Sequence, residues 1–208
     1  MSLKLYEFAV TRSSRVRFTL QELGLPFESV GNTPDVFRRP DLADIHPLSK
    51  IPAFIDDGRP LFESAAICTW LCDSHAEAGL VAPSGQWARA LHEQWTSFAL
   101  TEIEAFLWHT ARNLFVLPEN ERLPAVFPQN TAAVKRGLEV IDKEIAGLDW
   151  LIENRFSVTD IIMGYDVCWA QILGFTEGLP NVNAYADRIL ARPACPYGAM
   201  KDAAKQQN

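Results

Sequence analysis

The chain has no apolar run near the roughly 18 residues a membrane helix requires, which excludes a spanning helix. Positive charge is also scarce. Its 19 Lys and Arg face 26 Asp and Glu, for a formal charge of −7. Phosphate backbones are held by clustered cations, so nucleic acid is not an expected partner. Cysteine is sparse as well: Cys68, Cys72, Cys168 and Cys195 form no C-x-x-C pair, and no ligand spacing for a metal is present. Cys68 and Cys72, one helical turn apart, are expected to pack as small hydrophobes in a thiol-reducing cytoplasm. The opening residues carry Lys4 and Glu7 where a signal peptide has its apolar stretch, so export is not expected. The sequence has no internal repeat and no low-complexity tract.

What is present is enough apolar residue for a sizeable core, 48% of 208 residues. The first 76 residues mix periods. Leu3 to Phe8 alternates as a strand does. Thr11-Arg12-Ser13-Ser14 then offers capping hydroxyls before a helix with Val16, Leu20 and Leu23 on one face, stopped at Gly24. Pro26 to Val30 reads as a second strand, and residues 31–49, with three prolines, as an irregular link. Ala53 to Ile55 and Pro60 to Phe62 flank Asp56-Asp57-Gly58-Arg59, a strong hairpin signal. A helix carrying Ile67, Trp70 and Leu71 follows from Ser64. Residues 77–86 read as a linker, and from 87 onward no strand signal remains. Helices are expected over about 87–115, 131–153, 158–173 and 181–192, with a proline-rich loop from Leu117 to Gln129. Ser157 and Asp160 fit a capping box, with Phe156 and Ile161 placed for a hydrophobic staple.

The most informative stretch is Ile51-Pro52-Ala53-Phe54, followed by Glu63-Ser64. Proline between two short apolar runs suits a tight turn, because it fixes φ and donates no hydrogen bond. A cis bond there turns the Ile51 backbone toward an extended ligand. Glu63-Ser64 opens a helix, and helix N-termini hold carboxylates. Together these suit a small peptide with two carboxylates, such as glutathione.

In this order and at these distances, Ser49-Lys50-Ile51-Pro52-Ala53-Phe54, Glu63-Ser64 and the Phe156–Ile161 capping box resemble the cytosolic glutathione S-transferases along essentially the whole chain. The resemblance implies an α/β thioredoxin-like domain over 1–76 and an all-α helical domain over 87–208. It implies glutathione as cosubstrate, a small hydrophobic electrophile as second substrate, a homodimer and no metal. Ile51 is then expected to pair by its backbone with the cysteinyl part, next to a cis Pro52. Lys50 is expected to meet the glycyl carboxylate, and Glu63 and Ser64 the γ-glutamyl end.

Glutathione reacts as a thiolate, which a donated hydroxyl and a helix N-terminus both favour. The turn after the first strand offers Thr11, Ser13 and Ser14. Thr11 ranks first, Ser13 close behind and Ser14 third, while Tyr6 reads better as an ordinary strand tyrosine. No cysteine occupies this turn, which speaks against a mixed-disulfide mechanism. Trp95, Phe98, Glu102, Phe106 and His109 recur at spacings of three and four on the long helix, with Trp108 beside them. In the family this helix walls the electrophile pocket. Glutathione-dependent isomerisation, dehalogenation or disulfide reduction, and a non-catalytic glutathione-binding module, are the alternatives to conjugation.

Overall fold

Alternating apolar residues at Leu3 and Leu5 commit the start of the chain to a strand, and Leu3–Glu7 forms β1 in a computed structural model that describes residues 2–205. β1 is an inner strand of a four-stranded sheet with order β2-β1-β3-β4. It pairs in parallel with β2 (Glu28–Gly31) and antiparallel with β3 (Ala53–Asp56), which runs antiparallel to β4 (Arg59–Phe62). The helix α1 (Ser13–Glu22) makes the crossover between the parallel strands, as parallel pairing requires. Asp57 and Gly58, both at positive φ, make the tight β3–β4 turn. The link after β2 contains a 3₁₀ turn (Pro34–Arg38) and one helical turn, α2 (Leu42–Ile45). The helix α3 (Ser64–Ser74) follows β4 directly and buries Ile67, Cys68, Leu71 and Cys72.

The chain divides into two compact units, the first reaching Arg89 and taking in the segment from Leu190 onward, the second spanning Ala90–Ile189. That final segment, assigned to the helical half in the sequence reading, belongs with the sheet. Arg192 forms two 2.7 Å hydrogen bonds to the Glu22 carboxylate at the end of α1. The Tyr197 ring meets Phe18 edge-on at 5.3 Å. A helix not anticipated from the sequence, α9 (Gly198–Lys205), follows there.

The second unit is helical. The helix α4 (Trp87–Phe98) begins just before it and continues through a π-helical segment (Ala99–Glu104) into α5 (Ala105–Ala111) and a second π segment (Arg112–Val116). α6 (Phe127–Glu144) starts inside the expected loop, because Pro128 sits in the first turn, where its missing N–H is tolerated. It ends well before residue 153. Gly147 takes φ +76, and Asn154 Oδ1 instead accepts the N–H groups of Asp149 and Trp150 to make a turn. α7 (Val158–Ile172) is almost entirely buried and opens on the expected capping box. Asp160 anchors it, accepting from the Ser157 N–H and Oγ, the Leu151 N–H and the Tyr185 hydroxyl at 2.8–3.0 Å. α8 (Pro180–Leu190) is capped by Asp142 of α6, whose Oδ1 accepts the N–H groups of Asn181 and Val182 at 2.9 Å each. No described helix is long and apolar enough to cross a membrane.

Candidate active site

The β1–α1 turn is built from hydroxyls that bond back to the strand end. The Thr11 Oγ1 donates to the Phe8 carbonyl at 2.8 Å and lies 2.8 Å from the Ser13 Oγ. The Ser13 Oγ accepts the Phe8 N–H at 3.0 Å and is within 2.9 Å of the Phe8 carbonyl. The Ser14 Oγ donates to the Ala9 carbonyl. Ser13 and Ser14 are buried, whereas Thr11 is half-exposed. The Thr11 Oγ1 also accepts the Ser13 N–H at the start of α1 at 3.3 Å, while Arg12 occupies the N-cap position without a side-chain capping bond. Tyr6 points elsewhere. Its hydroxyl donates to the Asp41 Oδ2 at 2.8 Å, Arg39 grips the same carboxylate through two nitrogens, and its ring belongs to the cluster of Val36, Leu42 and Ile45. Burial first, and then the Asp41 hydrogen bond, raise the Tyr6 pKa and keep the phenol protonated.

At the same end of the sheet, where the antiparallel register sets Ala53 opposite Tyr6, the Ile51–Pro52 bond is cis, and the β1–β3 ladder begins at Ala53, leaving Ile51 just outside it. Lys50 is exposed. Glu63 is exposed at φ +71, a backbone region uncommon for residues with a side chain, and it opens α3 with its carbonyl accepting the Ile67 N–H at 3.0 Å. The N–H groups of Ser64, Ala65 and Ala66 therefore lie in the first turn, where an α-helix supplies no partner. Ser64 is buried, and its Oγ accepts from the Arg15 Nη1 at 3.3 Å.

Two residues of this region were not singled out from the sequence. The sequence assigns Arg15 no role; only the fold buries it completely and brings its Nη1 to Ser64. His46 sits in the irregular link, with Pro47 next to it as the sole signal of a turn. It is buried against the Phe62 ring, with centroids 4.8 Å apart, and its Nδ1 accepts the Leu48 N–H at 3.1 Å. Burial lowers its pKa, Lys50 adds to that effect, and Glu63 opposes it.

In the second unit the residues expected for the electrophile wall differ in burial. The π segment turns more slowly than an α-helix, so the inward stripe runs through His92, Trp95, Ala99, Ile103, Leu107 and Thr110. Trp95 is therefore buried, with Phe98 edge-on to it at 5.5 Å. Phe98, Phe106 and Trp108 are half-buried, while Glu102 and His109 are exposed. Burial pushes the Cys68 thiol up to about 12 and Cys195 to about 11, so both stay protonated and inert.

Residues 5–79 match the glutathione S-transferase N-terminal domain, and residues 103–193 the glutathione S-transferase C-terminal domain. Glutathione S-transferase GstA of Escherichia coli O157:H7 is 26% identical over 186 residues, covering 88% of this chain and 85% of its own. A glutathione transferase from Methylococcus capsulatus superposes with a TM-score of 0.79 at 28% identity, over 98% of this chain and 99% of its own. Another, from Burkholderia graminis and solved with two glutathione molecules bound per subunit, gives 0.80 at 27% identity, over 97% and 88%. With the two-part fold and the Glu63-Ser64 helix start, these likenesses make the chain a member of the glutathione S-transferase family.

Proposed function

We propose that this enzyme conjugates the glutathione thiolate to small hydrophobic electrophiles. The observation that carries the proposal is the buried Arg15–Ser64 hydrogen bond at the mouth of α3. It fixes a hydroxyl beside unpaired helix N–H groups, an arrangement suited to a carboxylate. In this reading Ser64 takes the γ-glutamyl carboxylate and Glu63 the adjacent ammonium. Ile51 pairs with the cysteinyl backbone beside Pro52, and Lys50 attracts the glycyl carboxylate.

Thr11 supplies the proton that steadies the thiolate. Its hydroxyl and that of Ser13 both lie within reach of one acceptor, the Phe8 carbonyl. When Ser13 donates to that carbonyl, the Thr11 O–H is released to turn toward sulfur, with no backbone group left unsatisfied. Ser13, wholly buried, then acts through Thr11, and the start of α1 adds its dipole to the same charge. A hydrogen bond to the charged form lowers a thiol pKa, which raises the reactive fraction at neutral pH.

The electrophile is held by the half-buried Phe98, Phe106 and Trp108, backed by Trp95, with Glu102 and His109 as the polar groups. A homodimer accords with the exposed Phe62 and Trp70 on β4 and α3, and a cytoplasmic setting with the protonated thiols of Cys68 and Cys195. Retention on immobilised glutathione, together with turnover of chlorodinitrobenzene followed by absorbance, tests the reading. Binding without turnover across several electrophiles overturns conjugation and leaves a glutathione-binding module.

A further inference from the structure

His46 ends the α2 turn, and three hydrogen bonds shape the chain around it. Its N–H donates to the Leu42 carbonyl at 2.9 Å, its carbonyl accepts the Ser49 N–H at 2.8 Å, and its Nδ1 accepts the Leu48 N–H at 3.1 Å. The last bond fixes the tautomer: Nδ1 carries no proton, and the ring proton sits on Nε2. The histidine thus does for this turn what an asparagine or aspartate side chain does in an Asx turn, bonding to the backbone two residues on. The turn needs that support, because Ser49 stands at φ +47, a left-handed conformation unfavourable for a residue with a side chain. The ring itself is fixed from the other side by the Phe62 ring of β4. Lys50 and Ile51 follow Ser49 immediately, so the position of the turn sets theirs.

We propose that His46 is a positioning residue for glutathione: its unprotonated Nδ1 holds the His46–Ser49 turn that places Lys50 and Ile51, and a proton on Nδ1 releases that turn and weakens glutathione binding. The inference rests on the reading of Lys50 and Ile51 as glutathione contacts. A protonated imidazole has an N–H at both nitrogens, so Nδ1 then confronts the Leu48 N–H donor to donor. The charges acting on the ring are Lys50 in its own loop and Glu63 at the β4–α3 junction. Burial is the largest influence and, with Lys50, outweighs Glu63, keeping the ring neutral at neutral pH. The release therefore falls on the acid side of the ordinary histidine value of about 6.5.

Titration calorimetry of the full chain with glutathione, at about pH 7.5 and about pH 5, on either side of that value, is the test. His46→Asn keeps an acceptor for the Leu48 N–H at both pH values, and His46→Ala has none. At the higher pH the wild type and His46→Asn should bind alike, and His46→Ala about fivefold to tenfold more weakly, the worth of one hydrogen bond. At the lower pH the wild type should lose a further fivefold to tenfold relative to His46→Asn, by the same hydrogen bond. Glu63 and Lys50 are common to both proteins and cancel in that comparison. Should His46→Ala fail to fold, judged by circular dichroism, the ratio of wild type to His46→Asn decides alone. A wild type that binds glutathione at neither pH overturns the glutathione reading itself. Where it does bind, a His46→Asn that weakens in step with the wild type, or a folded His46→Ala that binds as tightly, overturns this inference alone.

Discussion

Arg15 crosses from α1 to hold Ser64, the first residue of α3, at 3.3 Å in a setting from which solvent is excluded. One side chain thereby joins the helix that starts at the Thr11–Ser14 turn to the helix start proposed to hold the γ-glutamyl end of glutathione. Arg15→Ala should destabilise the protein by about 3 kcal/mol or more, through a cavity and an unpaired Ser64 hydroxyl. It should also weaken glutathione binding. Ser64→Ala tests the ligand side separately, with a smaller loss of stability and a similar loss of affinity. Urea unfolding and calorimetry report the two effects; an Arg15→Ala protein with unchanged affinity would refute the coupling.

Thr11→Ala should lower kcat/KM for glutathione conjugation by about 10²-fold, comparable with removing an oxyanion donor, while Thr11→Ser retains most of it. The pH–rate profile of the alanine variant should move to higher pH, because the thiol loses the hydrogen bond that favours its charged form. Ser13→Ala should cost both rate and stability, since it leaves the Phe8 N–H without its acceptor. Rates that fall equally for Thr11→Ser and Thr11→Ala would show that the hydroxyl is not the working group.

Asp160, at the start of α7, has its carboxyl pushed up to about 6 by burial, against the opposing pull of its four donors. The folded protein then binds this proton more tightly than the unfolded chain, whose aspartate titrates near 3.9. The sign follows: the group's contribution is fully present below about pH 4 and is lost as pH rises through about 6, on the order of 3 kcal/mol. Asp160→Asn removes the titration. Subtracting its unfolding free energies from those of the wild type should therefore leave a curve that falls across that window. A rising curve would show that the four donors outweigh burial.

Gly137 of α6 lies against the first π segment, where an added Cβ would stand 2.8 Å from the Ile103 Cγ1 and 3.1 Å from the Glu102 carbonyl. Gly137→Ala should therefore cost about 1–3 kcal/mol by overpacking, although alanine is the better helix former. Gly24 offers open space but sits at φ +65, so alanine there is strained by its backbone alone. A lower thermal midpoint for Gly137→Ala checks the close approach of the two helices.

The period of two in Leu3–Glu7, the Asp57-Gly58 turn and the Ser157/Asp160 box are local signals, and each became the element its residues imply. The same holds for the cis Ile51–Pro52 bond and for Ser64 as a helix start. What stayed hidden depends on contacts far apart in sequence. Nothing next to Arg15 announces that its partner lies 49 residues on. The return of the segment after Leu190 to the sheet unit is fixed by Arg192 meeting Glu22 across 170 residues. The end of α6 was missed for a smaller reason, because the turn at Asn154 follows a stretch whose apolar spacing continues the helical period.

The first π segment, Ala99–Glu104, holds a residue more than an α-helical path would need. Each residue of an α-helix advances about 100° around the axis. Deleting one residue there would turn Phe106, Trp108 and His109 by roughly that angle relative to Trp95, without altering any of them. The character of the surface proposed for the second substrate is thus set by chain length as much as by side-chain identity. A one-residue insertion or deletion within 99–104 is a route to changed selectivity that no single substitution reproduces.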